Sequence, residues 1–313
     1  MYVIKMKTLI YYIAVFAVTL ASIGIIRLYT NTDGQYVTAS TPVEGTESTD
    51  STGTVAEGEG ETLAAKREDK VVVPILMYHS ILRSTNTQGN YIISEAAFEA
   101  DLKYLKDNGY TTVVMQDLID YVYKGKTLPE KPVVLTFDDG YFNNFFYAFP
   151  LLQKYNSKAV LSIIGYYTDL YTKTPDENPS YSHVTWNDVK KMMDSGLVEM
   201  QNHSYNLHTT DKGRNGSKKK KGESDAQYKA MLTEDLGKLQ DCFKTNTGYT
   251  PNTFTYPFGS VSNASFDIIK EMGFKASLSC ESGMNTITRD PECLYMLKRY
   301  LRTPKKSAES ILK

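Results

Sequence analysis

Pro132-Val-Val-Leu-Thr-Phe-Asp-Asp-Gly140 is the stretch on which the reading of this chain turns. From Pro132 to Phe137 it is a short apolar run, read as a buried strand of the kind a parallel sheet supplies. It ends in two adjacent carboxylates and a glycine, so Asp138 and Asp139 stand on the carboxyl rim of the strand. An Asp-Asp-Gly triplet on its own is usually a turn. Its meaning depends on what the neighbouring strands end in.

Working outward, strand-like and helix-like segments alternate on both sides. Val71 to Met77 reads as an apolar strand, and Ser94 opens a helix with Phe98, Leu102 and Leu105 on one face and Gly109 as its stop. Thr111–Met115, Ala159–Ile164, Leu197–Asn202, Thr253–Tyr256, Phe274–Ser279 and Leu297–Leu301 read as further strands. Between them lie helices at Gln116–Tyr123, after Phe137 through Leu152, at Trp186–Met193 and at Ala264–Met272, and a long one at Asp225–Thr245 whose inner face carries Tyr228, Leu232, Leu236, Leu239 and Phe243. This alternation predicts an α/β fold with a parallel sheet, and residues 71–313 have the size of one barrel domain. In such folds ligands bind beyond the carboxyl ends of the strands. No internal repeat is evident.

There are four histidines, His79, His183, His203 and His208. His79 follows the first strand, and Asn202-His-Ser-Tyr-Asn-Leu-His208 follows another. Two imidazoles and a carboxylate on one rim make a facial ligand set that leaves positions open for water and substrate. One aspartate suffices as a ligand; the other is then free to act as a base on water made acidic by a divalent cation. His183, near the start of the Trp186 helix, reads as structural.

The chain at this point resembles the polysaccharide deacetylases of the NodB-homology type, carbohydrate esterase family 4. Thr136-Phe-Asp-Asp-Gly140 is similar to that family's first motif, the His203/His208 segment to its second, and Thr255-Tyr-Pro-Phe-Gly259 to a shortened third. The resemblance covers most of residues 71–300. It implies a distorted (β/α)7 barrel as a single catalytic domain, Asp138 as general base, and Asp139, His203 and His208 as ligands of one divalent metal ion. Zinc is the default, with iron, cobalt, nickel or manganese as alternatives. It implies Phe258 as a backbone oxyanion donor, with Tyr256 beside the substrate. The departures point to one branch. The histidines are five apart instead of four, Thr255 stands where an Arg is common, and no C-terminal acid histidine is present, whereas a histidine occurs early in Leu76-Met-Tyr-His-Ser-Ile81. These features resemble the biofilm poly-N-acetylglucosamine deacetylases and imply His79 as general acid. Arg299 is assigned to supply the missing positive charge. The expected reaction removes N-acetyl groups from an N-acetylglucosamine polymer such as poly-N-acetylglucosamine or peptidoglycan. O-deacetylation, for example of xylan, a non-catalytic wall-binding domain and a non-haem iron oxygenase are the rival readings.

Composition bounds the rest. With 35 basic and 36 acidic residues, the chain lacks the basic surplus that a nucleic-acid partner usually requires. Its 24 tyrosines suit sugar stacking as well as packing. Cys242, Cys280 and Cys293 are odd in number and lack a CxxC pair, which excludes a disulfide framework and a cysteine zinc site; they read as small hydrophobes, with Cys280–Cys293 the one bridge to test. Thr8 to Ile26 carries no charge and as a helix would span about 28 Å, close to a bilayer core. Lys5 and Lys7 precede it, so residues 1–30 read as a cytoplasmic N-terminus and membrane anchor, with a cleaved signal peptide as the alternative. Residues 31–70, rich in Thr, Glu, Gly and Ser, read as a flexible tether. The Lys218–Lys221 run reads as a solvated loop. The expectation is a monomeric extracytoplasmic domain, tethered to the membrane or secreted.

Overall fold

The computed structural model describes residues 70–83 and 89–313, so the expected anchor and nearly all of the expected tether lie outside the described residues. Among the described residues no helix is long and apolar enough to cross a membrane.

The strand read from Pro132 to Phe137 is the central one. This strand, β6 (Pro132–Phe137), is wholly buried. It pairs in parallel with β2 (Ile75–Tyr78) on one side and β7 (Ala159–Ile163) on the other, and the ladder continues through β8 (Val198–Asn202), β9 (Thr253–Thr255) and β10 (Ala276–Leu278). Short β5 (Thr111–Val113) pairs with the first half of β6. β12 (Tyr300–Leu301) lies parallel to β2, while Leu297, just before it, bridges to Leu278 of β10. One segment thus touches both edges of the sheet, which curls on itself. All these pairings are parallel; seven strands follow one another in the ladder and β5 is an eighth beside β6, a curled parallel sheet of the kind the barrel expectation calls for.

Two hydrophobic layers follow from the two-residue period of a strand. Leu76, Tyr78, Val133, Leu135, Phe137 and Leu161 face the helices in one cluster, whereas Ile75, Val134, Val160, Ala276, Leu278 and Leu297 belong to a second cluster inside the curl. The outer helices are α1 (Glu95–Asp107), α2 (Met115–Lys124), α3 (Phe149–Tyr155), α4 (Gly165–Lys173), α5 (Trp186–Asp194), α6 (Asp225–Thr247), α7 (Ala264–Glu271) and α8 (Ala308–Leu312). Their starts are where side-chain oxygens cap free N–H groups: Ser94 accepts from Ala97, Thr185 from Asp188 and Ser224 from Gln227.

Several expectations need correction. The run from Val71 to Met77 is two strands, because Pro74 lacks a donor and the chain changes partner there: β1 (Val71–Val73) runs antiparallel to β11 (Asn285–Ile287). A further short parallel pair joins β3 (Ser80–Leu82) to β4 (Ile92–Ser94). The helix after β6 opens with a π-turn over Asn144–Ala148 before α3. Only the last two residues of the expected Leu297–Leu301 strand form a regular ladder. Helix α4, for which the sequence carries no marked apolar period, starts at Gly165, where a Cβ would lie 2.7 Å from the Tyr205 ring. All three cysteines are free, so no Cys280–Cys293 bridge forms.

Candidate active site

Strand parity explains why distant residues share one rim. On β2, Ile75 and Met77 face inward and His79 continues that face; on β6, Val134, Thr136 and Asp138 do the same; on β8, Gln201 leads to His203. The register pairs Tyr78 with Phe137, so the next residues, His79 and Asp138, emerge side by side. The Asp138 N–H donates to the Tyr78 carbonyl at 3.1 Å. The chain then turns sharply: Asp139 has φ 71° and Gly140 φ 74°. A Cβ on Gly140 would stand 3.0 Å from the Ile163 side chain, so glycine is needed for both its conformation and its close approach.

This turn brings Asp139 to the two histidines. Its Oδ1 lies 3.4 Å from His203 Nε2 and 3.2 Å from His208 Nε2. One ligand atom from each of the three residues falls within 4.8 Å of the others. His203 Nδ1 is 2.8 Å from the Thr255 carbonyl, which only accepts, so Nδ1 carries the proton. In the neutral ring Nε2 then presents a lone pair toward a carboxylate oxygen that is itself buried without a hydrogen-bond partner. Such an arrangement needs a proton or a cation between the donors. Burial opposes charge on His203, but the Asp139 and Asp138 carboxylates outweigh it and raise the imidazole above its ordinary value. Burial likewise works against an ionised Asp139, yet His203, His79 and His208 hold it well below the usual carboxylate range. His208 is lowered by burial and by His203. The donor set, two imidazole nitrogens and one carboxylate, fits a divalent cation.

Asp138 is held from below. Arg299, fully buried, donates to Asp138 Oδ1 at 2.7 Å and Oδ2 at 2.9 Å, and to the Ser279 carbonyl at 2.7 Å. Burial would raise the Asp138 carboxyl, but the Arg299 charge and fork of hydrogen bonds bring it below its ordinary value. The positive charge assigned to Arg299 is therefore present, but it touches Asp138 and is sealed from the cleft. His79 Nε2 stands 4.0 Å from Asp138 Oδ2 on the cleft side. Burial lowers the His79 imidazole against the opposing pull of Asp138 and Asp139. Its carbonyl accepts from the Asn144 amide at 2.7 Å, and the Tyr91 ring meets it edge-on, with centroids 4.8 Å apart.

These groups floor a cleft of about 870 Å³, lined also by Tyr91, Tyr141, Phe258, Tyr300 and the turn at Lys305 and Lys306. Phe258 has φ 57°, and its exposed ring packs on His208 with centroids 4.1 Å apart. Tyr256 corrects the sequence reading. Its side chain is fully buried beside Phe254, and its hydroxyl shares a 2.7 Å hydrogen bond with Ser265, so it does not reach the cleft. His183 stacks between Tyr141 and Tyr167 and contributes no donor to the three-residue cluster. Tyr141, which the sequence reading did not single out, lines the cleft two residues after Asp139; its phenol is pushed up to about 12, by burial first and by Asp139 next.

A protein-family model described as polysaccharide deacetylase matches residues 125–277, which take in β6, the Asp138–Asp139 turn, the histidine segment and β9. Over that segment, and in the fold and rim it carries, the chain is similar to the polysaccharide deacetylases, as the motifs implied. Within that class the chain is similar to the poly-beta-1,6-N-acetyl-D-glucosamine N-deacetylase of Escherichia coli (strain K12), at 27% identity over 67% of this chain and 34% of that protein. The enzyme of the same description from Staphylococcus aureus (strain N315) is 28% identical over 61% of this chain and 62% of its own length. The chain therefore spans about a third of the length of the first relative and less than two thirds of the second. Among solved structures, a de-N-acetylase from Aggregatibacter actinomycetemcomitans superposes with a TM-score of 0.66 at 27% identity, over 77% of this chain and 99% of that one.

Proposed function

We propose that this protein is a metal-dependent hydrolase that removes N-acetyl groups from an N-acetylglucosamine polysaccharide, poly-N-acetylglucosamine before peptidoglycan. The observation that carries the reading is the convergence of Asp139, His203 and His208 beside an arginine-clamped Asp138 at the floor of an open cleft. The names of the relatives favour the N-linked acetyl group over the O-linked one.

Asp139 Oδ1, His203 Nε2 and His208 Nε2 would hold one divalent ion, zinc by default, whose Lewis acidity would polarise the acetyl carbonyl and acidify a water. Asp138, kept ionised by Arg299, accepts a proton from the attacking water. As the carbonyl carbon becomes tetrahedral, the Phe258 N–H donates to the developing oxyanion. His79, across the cleft floor from Asp138, protonates the nitrogen as the C–N bond breaks, leaving acetate and a glucosamine unit. Tyr91 and the Phe258 ring offer flat apolar faces at the mouth for flanking sugars. The uncharged Thr8–Ile26 run supports an extracytoplasmic location on the membrane.

The test is acetate release by purified protein from N-acetylglucosamine oligomers of β-1,6 and β-1,4 linkage and from acetylated xylan, with and without chelator. Chelator-sensitive release from the β-1,6 oligomer supports the proposal. Release that chelator leaves unchanged, or release from xylan alone, refutes it.

A further inference from the structure

His203 continues the inward face of β8, but from His203 to His208 the chain forms neither helix nor strand, so no regular element carries it on to the second imidazole. Something outside the segment must hold it, and the hydrogen bonds identify what does. The Ser204 and Tyr205 carbonyls accept from the first N–H groups of α4, Gly165 at 3.1 Å and Tyr166 at 2.8 Å. Asn202 accepts from the Ser204 N–H at 2.8 Å and donates to the Leu236 carbonyl of α6 at 3.1 Å, while Ser204 takes φ 74°. The Leu207 N–H donates to Ser204 Oγ at 3.1 Å. Two consecutive donors remain, the N–H groups of Tyr205 and Asn206. Both point at one carboxylate, Asp235 on α6, with Oδ1 accepting from Tyr205 at 2.8 Å and Oδ2 from Asn206 at 2.9 Å.

We propose that Asp235 is the positioning residue of the metal site, holding the backbone between the two histidines so that both Nε2 atoms face Asp139. This rests on the reading of Asp139, His203 and His208 as metal ligands. Each oxygen of the carboxylate serves one N–H, and the two N–H groups are adjacent in sequence, so the side chain sets the direction of the peptide midway between the ligands. Neither N–H has another acceptor among the described residues. Lys238, one turn further along α6, lies over the Tyr205 ring at 3.8 Å, and the Tyr205 hydroxyl donates to Asp169 at 3.0 Å, so the loop is gripped at its side chain as well. Those contacts fix the Tyr205 side chain; among the described residues, Asp235 is the one side chain outside the segment that accepts from the N–H groups of the turn. A half-buried carboxylate is costly to keep at that position, and burial pushes it up to about 6, so its retention there needs the compensation that two amide bonds give.

The experiment measures the zinc dissociation constant of the full chain by competition with a chelating dye, for the parent, Asp235→Asn and Asp235→Ala, with the exposed neighbour Glu234→Gln as control. The melting temperature of the zinc-free proteins and hydrogen exchange at the Tyr205 and Asn206 amides are followed alongside. The expected result is at least about tenfold weaker zinc binding in both Asp235 variants and faster exchange at the two amides, with Glu234→Gln unchanged. Asp235→Asn keeps the shape of the side chain and decides the matter alone should Asp235→Ala not fold. Zinc binding within about twofold of the parent overturns the proposal, even where the melting temperature falls, because the role would then be structural only. A parent chain that binds no zinc overturns the proposed function as well, and that outcome is read on a different protein from the first.

Discussion

Arg299 lies 161 residues from Asp138 in sequence, and the structure makes them one unit. Replacing Arg299 with Met removes a fork of hydrogen bonds at 2.7 and 2.9 Å from a carboxylate that is itself 2% exposed. Water cannot take the place of the guanidinium at that depth, so Asp138 must remain charged without a partner or take up a proton. Breaking a buried pair from one side costs about 3–5 kcal/mol, a large share of the roughly 5–15 kcal/mol that holds a domain folded. The urea midpoint of metal-free protein should fall by roughly 1–2 M if the m-value is about 3 kcal/mol per molar. Asp138→Asn in the Arg299→Met background should restore part of the loss, because the stranded charge is gone. The double-mutant cycle should then show a coupling of about 2 kcal/mol or more. Additive effects, or a cost below about 1 kcal/mol for Arg299→Met, would refute the claim that this pair supports the catalytic carboxylate.

Other consequences are open to direct measurement. Burial raises Glu199 from an ordinary carboxyl value to about 7, so the folded state binds the extra proton, and stability should fall as pH rises from about 4.5 to 7 and then level off. Glu199→Gln should remove about 3 kcal/mol of stability change accumulated across that window in denaturation curves; an unchanged pH dependence would show that the carboxyl titrates normally. Asp138→Asn should abolish acetate release while zinc still binds, and His79→Ala should slow release by about 10²-fold or more with zinc retained. Full activity in either variant would remove that residue from its role. Tyr256→Phe should cost about 1 kcal/mol of stability through the lost Ser265 bond and leave the KM for glycan unchanged, since the ring does not reach the cleft. A several-fold rise in KM at parent-like stability would contradict that placement.

Much of the barrel and its rim could be read from the sequence because the information there is local. An apolar run of strand length followed by Asp-Asp-Gly marks both the strand and the edge at which it ends, and His203 and His79 occupy the same place on their own strands. What required the structure was register and parity. Arg299 meets Asp138 because β12 lies against β2, a pairing that no local pattern announces. Tyr256 sits in a motif that implies a place at the substrate, yet just beyond β9 it shares the outward parity of Phe254, opposite to Thr255. Asp235, in the middle of a charged helix, has the sequence signature of a solvated acid; its bonds to Tyr205 and Asn206 exist only because α6 packs beside the end of β8. Pro74 did carry a local signal for the break between β1 and β2, through its missing donor.

The central claim is that one divalent cation sits between Asp139, His203 and His208. Anomalous scattering at the zinc edge from crystals of the zinc-loaded protein measures this directly. A single strong peak is expected about 2.0–2.2 Å from Asp139 Oδ and from both Nε2 atoms. A protein that releases acetate while showing no peak there, or a peak bound by other side chains, would contradict it.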